Sequence, residues 1–159
     1  MLETGETSNL GIEKDGNVLF VSQVETHESI RAFFPPGTLS PLHASGIGKA
    51  LLSTYDENRL AKLFEGKDLE RFTENTVRSF DQLRSELNRT RDRGYAFDDE
   101  ERTKGMRCVA APILNVHGEA VAGISVSGPK HRVEDSDVHR IGERVRRAAT
   151  MVSRRLGAP

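Results

Sequence analysis

At 159 residues, with 36% hydrophobic and 30% charged side chains and a net charge of −1, the chain has the size and composition of one soluble globular domain with a continuous core. The near-neutral balance offers no overall electrostatic footprint for DNA, RNA or an anionic membrane. A single cysteine excludes an internal disulfide, no apolar run approaches the length of a membrane span, and the N-terminus lacks a signal-peptide core, so a cytoplasmic domain is expected.

Taken in chain order, residues 9–12 and 17–24 are short apolar-rich runs joined through Asp15-Gly16. Both turn residues tolerate positive φ, which predicts a hairpin. Residues 29–34 are expected to form a third strand, stopped by Pro35-Pro36-Gly37. Helices follow. Residues 45–53 place Ile47, Ala50 and Leu51 on one side, and residues 56–64 do the same with Leu60, Leu63 and Phe64, with Gly66 as a stop.

Ser79-Phe-Asp-Gln82 has capping-box spacing, and Phe80, Leu83 and Leu87 make the stripe of a helix that ends before Gly94. Strands are expected at 107–114 and 120–127, turning at Val116-His117-Gly118. A long amphipathic helix over 134–156 should point Val138, Ile141, Val145, Ala148, Ala149 and Val152 inward. Strands, helices, strands and a final helix predict an α/β domain with a mainly antiparallel sheet.

Four features carry candidate chemistry. Ser45-Gly-Ile-Gly-Lys49 is a glycine-rich helix start, whose free N–H groups suit an anion. It is not a phosphate-binding P-loop, because His43 stands where that motif needs glycine and Ala50 where it needs a hydroxyl. Close helix–sheet packing is the alternative role of these glycines. In the strand over 120–127, alternation puts Val121, Gly123, Ser125 and Ser127 on one face. Two core-facing hydroxyls need partners, either neighbouring groups or a polar ligand, and Gly123 leaves room for one.

Cys108 shares a face with Ala110, opposite to Arg107. With no adjacent base or cation it reads as pocket wall or core filler rather than nucleophile. The acidic run Asp98-Asp-Glu-Glu101, if a strand, turns one acid inward beside Cys108. Such a carboxylate repels an anion unless it accepts a ligand hydroxyl or is protonated. His131, Asp135 and His139 have helical spacing, but Pro129 makes helix there doubtful and no metal site is assigned. The basic residues of the last helix are interspersed with acids and read as a solvated face.

His43-Ala-Ser-Gly-Ile-Gly-Lys-Ala50, Arg93-Gly-Tyr-Ala-Phe-Asp-Asp-Glu-Glu101, Gly105-Met-Arg-Cys-Val-Ala-Ala111 and Ile124-Ser-Val-Ser-Gly-Pro129 together resemble the IclR family of bacterial transcription regulators, in its C-terminal effector-binding domain. The resemblance runs from about Ser8 to Leu156. It implies a single GAF-like domain over 1–159, a curved antiparallel sheet with helices on both faces and a small-molecule cavity on one. Family members bind small organic acids, and the acetate-operon repressors among them, which this chain resembles, respond to glyoxylate and pyruvate.

Carried over residue by residue, the pocket implied by the resemblance comprises Gly46, Ile47, Asp98, Cys108, Ser125 and Ser127, with Met106 on the apolar wall. Those repressors have Ala where Ile47 stands, which alters the pocket while keeping the backbone N–H. The family's winged helix-turn-helix has no counterpart in this sequence, so DNA would be reached only through a missing N-terminal domain. The chain is then expected to be an isolated domain or a natural stand-alone sensor.

The resemblance further implies a dimer or tetramer, no catalytic residues, no cofactor and no membrane partner. Two rival expectations are a thiol-dependent enzyme on a GAF-like scaffold and a ligand-free oligomerisation module.

Overall fold

The computed structural model describes residues 1–159. Strand β1 (Thr7–Lys14) and strand β2 (Asn17–Val24) form the expected hairpin, with Asp15 and Gly16 both at positive φ (51° and 79°). That left-handed pair matches the twist of the flanking strands. The ladder is interrupted once: Leu10 pairs with Ser22 but Gly11 with Phe20, which leaves Val21 as an extra residue. This bulge resets the alternation of β2.

The predicted third strand at 29–34 does not form. Leu39–Pro41 (β3) occupies the outer edge of β2 instead. The 29–34 segment is held by side chains: Ala32 is buried, and Phe34 stacks on Phe20 with ring centroids 4.9 Å apart. A 3-10 turn (Leu42–Ala44) leads into helix α1 (Gly46–Leu52), whose N-cap Ser45 accepts from Gly48 N–H at 3.3 Å.

Helix α2 (Glu57–Phe64) is capped by Asp56, and Gly66 follows it at positive φ. Helix α3 (Phe80–Arg93) starts on Ser79, which accepts from Gln82 N–H. The capping box is not reciprocal, because the Gln82 side chain takes the Arg78 N–H instead. Gly94, at φ 83°, ends the helix.

Strands β4 (Ala96–Asp99), β5 (Met106–Leu114) and β6 (Ala120–Pro129) complete a curled antiparallel sheet in the order β3-β2-β1-β6-β5-β4. Helix α4 (Asp135–Arg155) covers one face and α1–α3 the other, as the GAF-like expectation requires. The alternation of β5 divides the core: Ala110 joins Ile47, Leu51, Leu83 and Leu87, whereas Val109 and Ala111 join Ile141, Val145 and Ala149. Val152, predicted inward, is exposed, and Ser153 is buried there because its hydroxyl accepts the Leu114 N–H at 2.8 Å.

Candidate functional site

Strand register brings the polar residues of four strands into one row. Thr7 (β1) lies opposite Ser127 (β6), Ser127 opposite Cys108 (β5), and Cys108 opposite Asp98 (β4). A second row runs Gln23–Asn9–Ser125–Ala110–Ala96. The first turn of α1 lies over the β5 members of both rows, Cys108 and Ala110. Thr7, Asn9, Ser125 and Ser127 are at most 2% exposed, and Cys108 remains partly accessible.

The first turn of α1 sits directly on this surface. A Cβ on Gly46 would lie 2.6 Å from Cys108 Sγ, so only glycine permits that approach. The N–H groups of Gly46 and Ile47 precede the helix's own hydrogen bonds, which begin where Gly48 and Lys49 donate to Ser45. Gly46, Ile47, Asp98, Cys108, Ser125 and Ser127 are thus brought together. Met106 shares the Cys108 face but stands at the start of β5, half-buried and paired with Pro129.

The room expected above Gly123 is already filled. Gly123 is paired with Gly11, and Ile47 packs into the seat they form: its Cγ2 would be 2.7 Å from a Cβ on Gly123, and its Cδ1 3.3 Å from one on Gly11. Other clefts lie elsewhere. A polar one of about 640 Å³ opens along α3 among Asn75, Arg78, Gln82, Glu86 and Arg89, one of about 440 Å³ opens beside α4 among Leu2, Val24, Ile124, Val126 and Ala148, and one of about 400 Å³ lies outside Lys49, Glu86 and Glu101. None of the three is lined by Gly46, Cys108, Ser125 or Ser127.

Three groups of the site escaped the sequence reading. Asn9 donates from Nδ2 to both Ser125 Oγ and Ser127 Oγ at 3.4 Å, and its Oδ1 accepts from Gln23 Nε2 at 3.1 Å. The signal was available, since Thr7 and Asn9 are polar residues at spacing two on a strand with a buried face. Lys49, in the middle of α1, is 1% exposed and reaches Glu101 Oε2 at 2.6 Å, Glu86 Oε1 at 3.4 Å and the Phe97 carbonyl.

Glu101, which strand alternation from Asp98 would place on the opposite face, is buried as well. Glu100 adopts φ 58°, which ends the strand alternation and turns Glu101 back inside. Asp99 does face away, pairing with Arg107 at 2.8 Å.

These neighbours set the protonation of the site. Burial first, and then the Glu101 carboxylate, push the Asp98 carboxyl up to about 8, against the opposing pull of Lys49. Asp98 Oδ1 accepts the Glu101 N–H at 2.8 Å. Burial and the facing Asp98 push the Cys108 thiol up to about 12. A thiol so held is the neutral, weakly nucleophilic form. Lys49 stays charged: burial favours its neutral form, but Glu101, Glu86 and Asp98 outweigh that and raise its pKa.

Elsewhere, Asp135 is committed to Arg107 at 2.7 Å and His139 lies against the Tyr95 hydroxyl, so the His131–Asp135–His139 spacing does not converge on one point.

Residues 1–154 match the family described as bacterial transcriptional regulator IclR C-terminal. The chain belongs to the IclR family. It is 55% identical over 150 residues to the HTH-type transcriptional regulator BhcR of Paracoccus denitrificans, covering 94% of this chain and 54% of that protein. It is 40% identical over 159 residues to the transcriptional repressor IclR of Escherichia coli, covering 99% and 58%.

The solved structure of Thermotoga maritima IclR superposes with a TM-score of 0.93 at 31% identity, covering 99% of this chain and 64% of that one. The Agrobacterium tumefaciens repressor BlcR superposes at 0.88 and 31%, covering 96% and 60%. This IclR-family chain therefore spans little more than half the length of the curated relatives it matches, and their names are those of transcriptional regulators, not enzymes.

Proposed function

We propose that residues 1–159 form the effector-binding domain of an IclR-type regulator and take up a small organic acid, such as glyoxylate or pyruvate, beneath the first turn of α1. The carrying observation is the polar row Thr7–Ser127–Cys108–Asp98 under a helix start whose N–H groups precede its own ladder. Gly46 and Ile47 donate from their backbones to the carboxylate, Ser125 and Ser127 add hydroxyls, and Met106 and Cys108 wall the site.

Asp98 meets the ligand mostly as a neutral carboxyl at pH 7, which removes the repulsion that a carboxylate would present to an anion. The tight seat of Ile47 limits the ligand to a few heavy atoms. Occupancy is transmitted through a dimer or tetramer to a DNA-binding domain outside this chain, in a cytoplasmic repressor.

Ile47 filling the Gly11–Gly123 seat favours a second reading, a ligand-free oligomerisation module. The buried amide, hydroxyls and carboxyl argue for a ligand, since a purely structural core is cheaper to fill with apolar groups. Calorimetric titration with glyoxylate and pyruvate separates the two. Binding that is lost in Ser125→Ala/Ser127→Ala supports the sensor, whereas no heat from any small acid supports the module.

A further inference from the structure

The hydrogen bonds around Asn9 have a direction. Gln23 Nε2 donates to Asn9 Oδ1 at 3.1 Å, which turns the Asn9 amide nitrogen toward the sheet interior. That nitrogen is a donor only, and both serine oxygens lie 3.4 Å from it. Each hydroxyl has a single hydrogen. If its oxygen accepts from Asn9, its hydrogen must be donated elsewhere.

The side-chain hydrogen bonds to both serine oxygens come from Asn9, and neither hydroxyl hydrogen is taken up by a protein acceptor. A carboxylate oxygen is a strong acceptor. The Gln23–Asn9 pair therefore leaves two serine hydrogens to be donated to an acceptor that a carboxylate can supply.

We infer that Asn9, oriented by Gln23, is the specificity-determining residue of this site, a polarity setter that keeps Ser125 and Ser127 as donors and so selects a carboxylate over a neutral ligand of the same shape. The inference rests on the reading of the site as a small-acid site. Asn9 is 2% exposed and sits opposite Ser125 in the ladder, so no solvent donor substitutes for it. Gln23 reaches it because the Val21 bulge places Gln23, rather than Ser22, on the Asn9 side of β2. Gln23 is itself only partly buried and outside the core clusters, which makes it a mild position to alter.

The test is calorimetric titration of the chain with pyruvate and with its neutral methyl ester. The variants are Asn9→Asp, Gln23→Met and Ser125→Ala/Ser127→Ala, each first shown to melt cooperatively. Asn9→Asp puts an acceptor where the donor was and draws the serine hydrogens inward. Pyruvate affinity should fall at least about tenfold, the loss expected when hydrogen bonds to a charged group are removed, while affinity for the ester changes much less.

Gln23→Met adds no charge and should shift the acid-to-ester ratio the same way by a few-fold. It should add nothing further in the Asn9→Asp background. A merely structural role would weaken both ligands together. That result would overturn the inference, as would Asn9→Asp and Gln23→Met variants binding pyruvate like wild type while the double serine variant loses it. If the double serine variant also binds like wild type, or wild type binds neither glyoxylate nor pyruvate, the small-acid reading itself fails and the inference with it.

Discussion

Lys49 Nζ lies 2.6 Å from Glu101 Oε2 in the interior of the domain, with both side chains at most 8% exposed. The pair joins the helix that forms the roof of the site to the turn that follows Asp98. Through the Phe97 carbonyl and Glu86 it also fastens α1 to β4 and α3. An ion pair at this depth gains little over apolar packing but is costly to break from one side, because the remaining charge is left unpaired.

Lys49→Met should accordingly destabilise the domain by about 3–5 kcal/mol, since Glu101 stays behind without its main partner. Lys49→Met/Glu101→Leu should recover a large part of that loss. Urea denaturation measures both. A single-variant loss under about 1 kcal/mol would mean that water, rather than Lys49, solvates Glu101.

Asp98 predicts a pH dependence with a definite sign. Its carboxyl stands near 8 in the folded protein against 3.8 when unfolded, so the folded state holds the proton more tightly. The stability it contributes is complete below about pH 4 and is lost as pH rises toward 8. Asp98→Asn removes this linkage, so the variant should gain on wild type between pH 5 and pH 8.5. A difference between the two melting curves that is the same at both pH values would contradict the raised pKa.

Gly123→Ala should clash with Ile47 Cγ2, 2.7 Å from the added carbon, at a cost of about 1–3 kcal/mol. Ile47→Ala opens that space. The double variant should be more stable than the sum of the two single losses implies, and a double-mutant cycle with no coupling would show that Ile47 does not occupy the glycine seat.

The Cys108 thiol, raised from 9.0 to about 12, should react with iodoacetamide at pH 7.5 at least about a hundredfold more slowly in the native protein than in urea. Mass spectrometry of a time course reads the rate directly. Fast native alkylation would return Cys108 to the status of a nucleophile.

Much of this was legible in the residues. Asp15-Gly16 specified the hairpin, since few other pairs accept two positive φ values in succession. The period-two pattern of β6 put Ser125 and Ser127 on one face, and that of β5 separated Cys108 from Arg107. Those are local properties of a pleated strand, and strand periodicity survives any choice of neighbour.

What the residues alone could not determine lies where that periodicity is interrupted or where the partner is distant in sequence. The Val21 bulge changes which residue of β2 stands beside Asn9, and the left-handed Glu100 turns Glu101 from surface to core. Neither event leaves a mark on hydrophobic alternation. Residues 29–34 carry strand-like composition, yet the edge they would need is taken by Leu39–Pro41.

The space over Gly123 is decided by Ile47, a residue from another element 76 positions earlier in a chain whose ladder pairs Gly123 with Gly11. The sequence alone determined which side chains face inward along each regular strand. Only the tertiary structure decided which of them meet, because meeting depends on register, bulges and the helix laid across the sheet, and these are settled by packing rather than by any local preference.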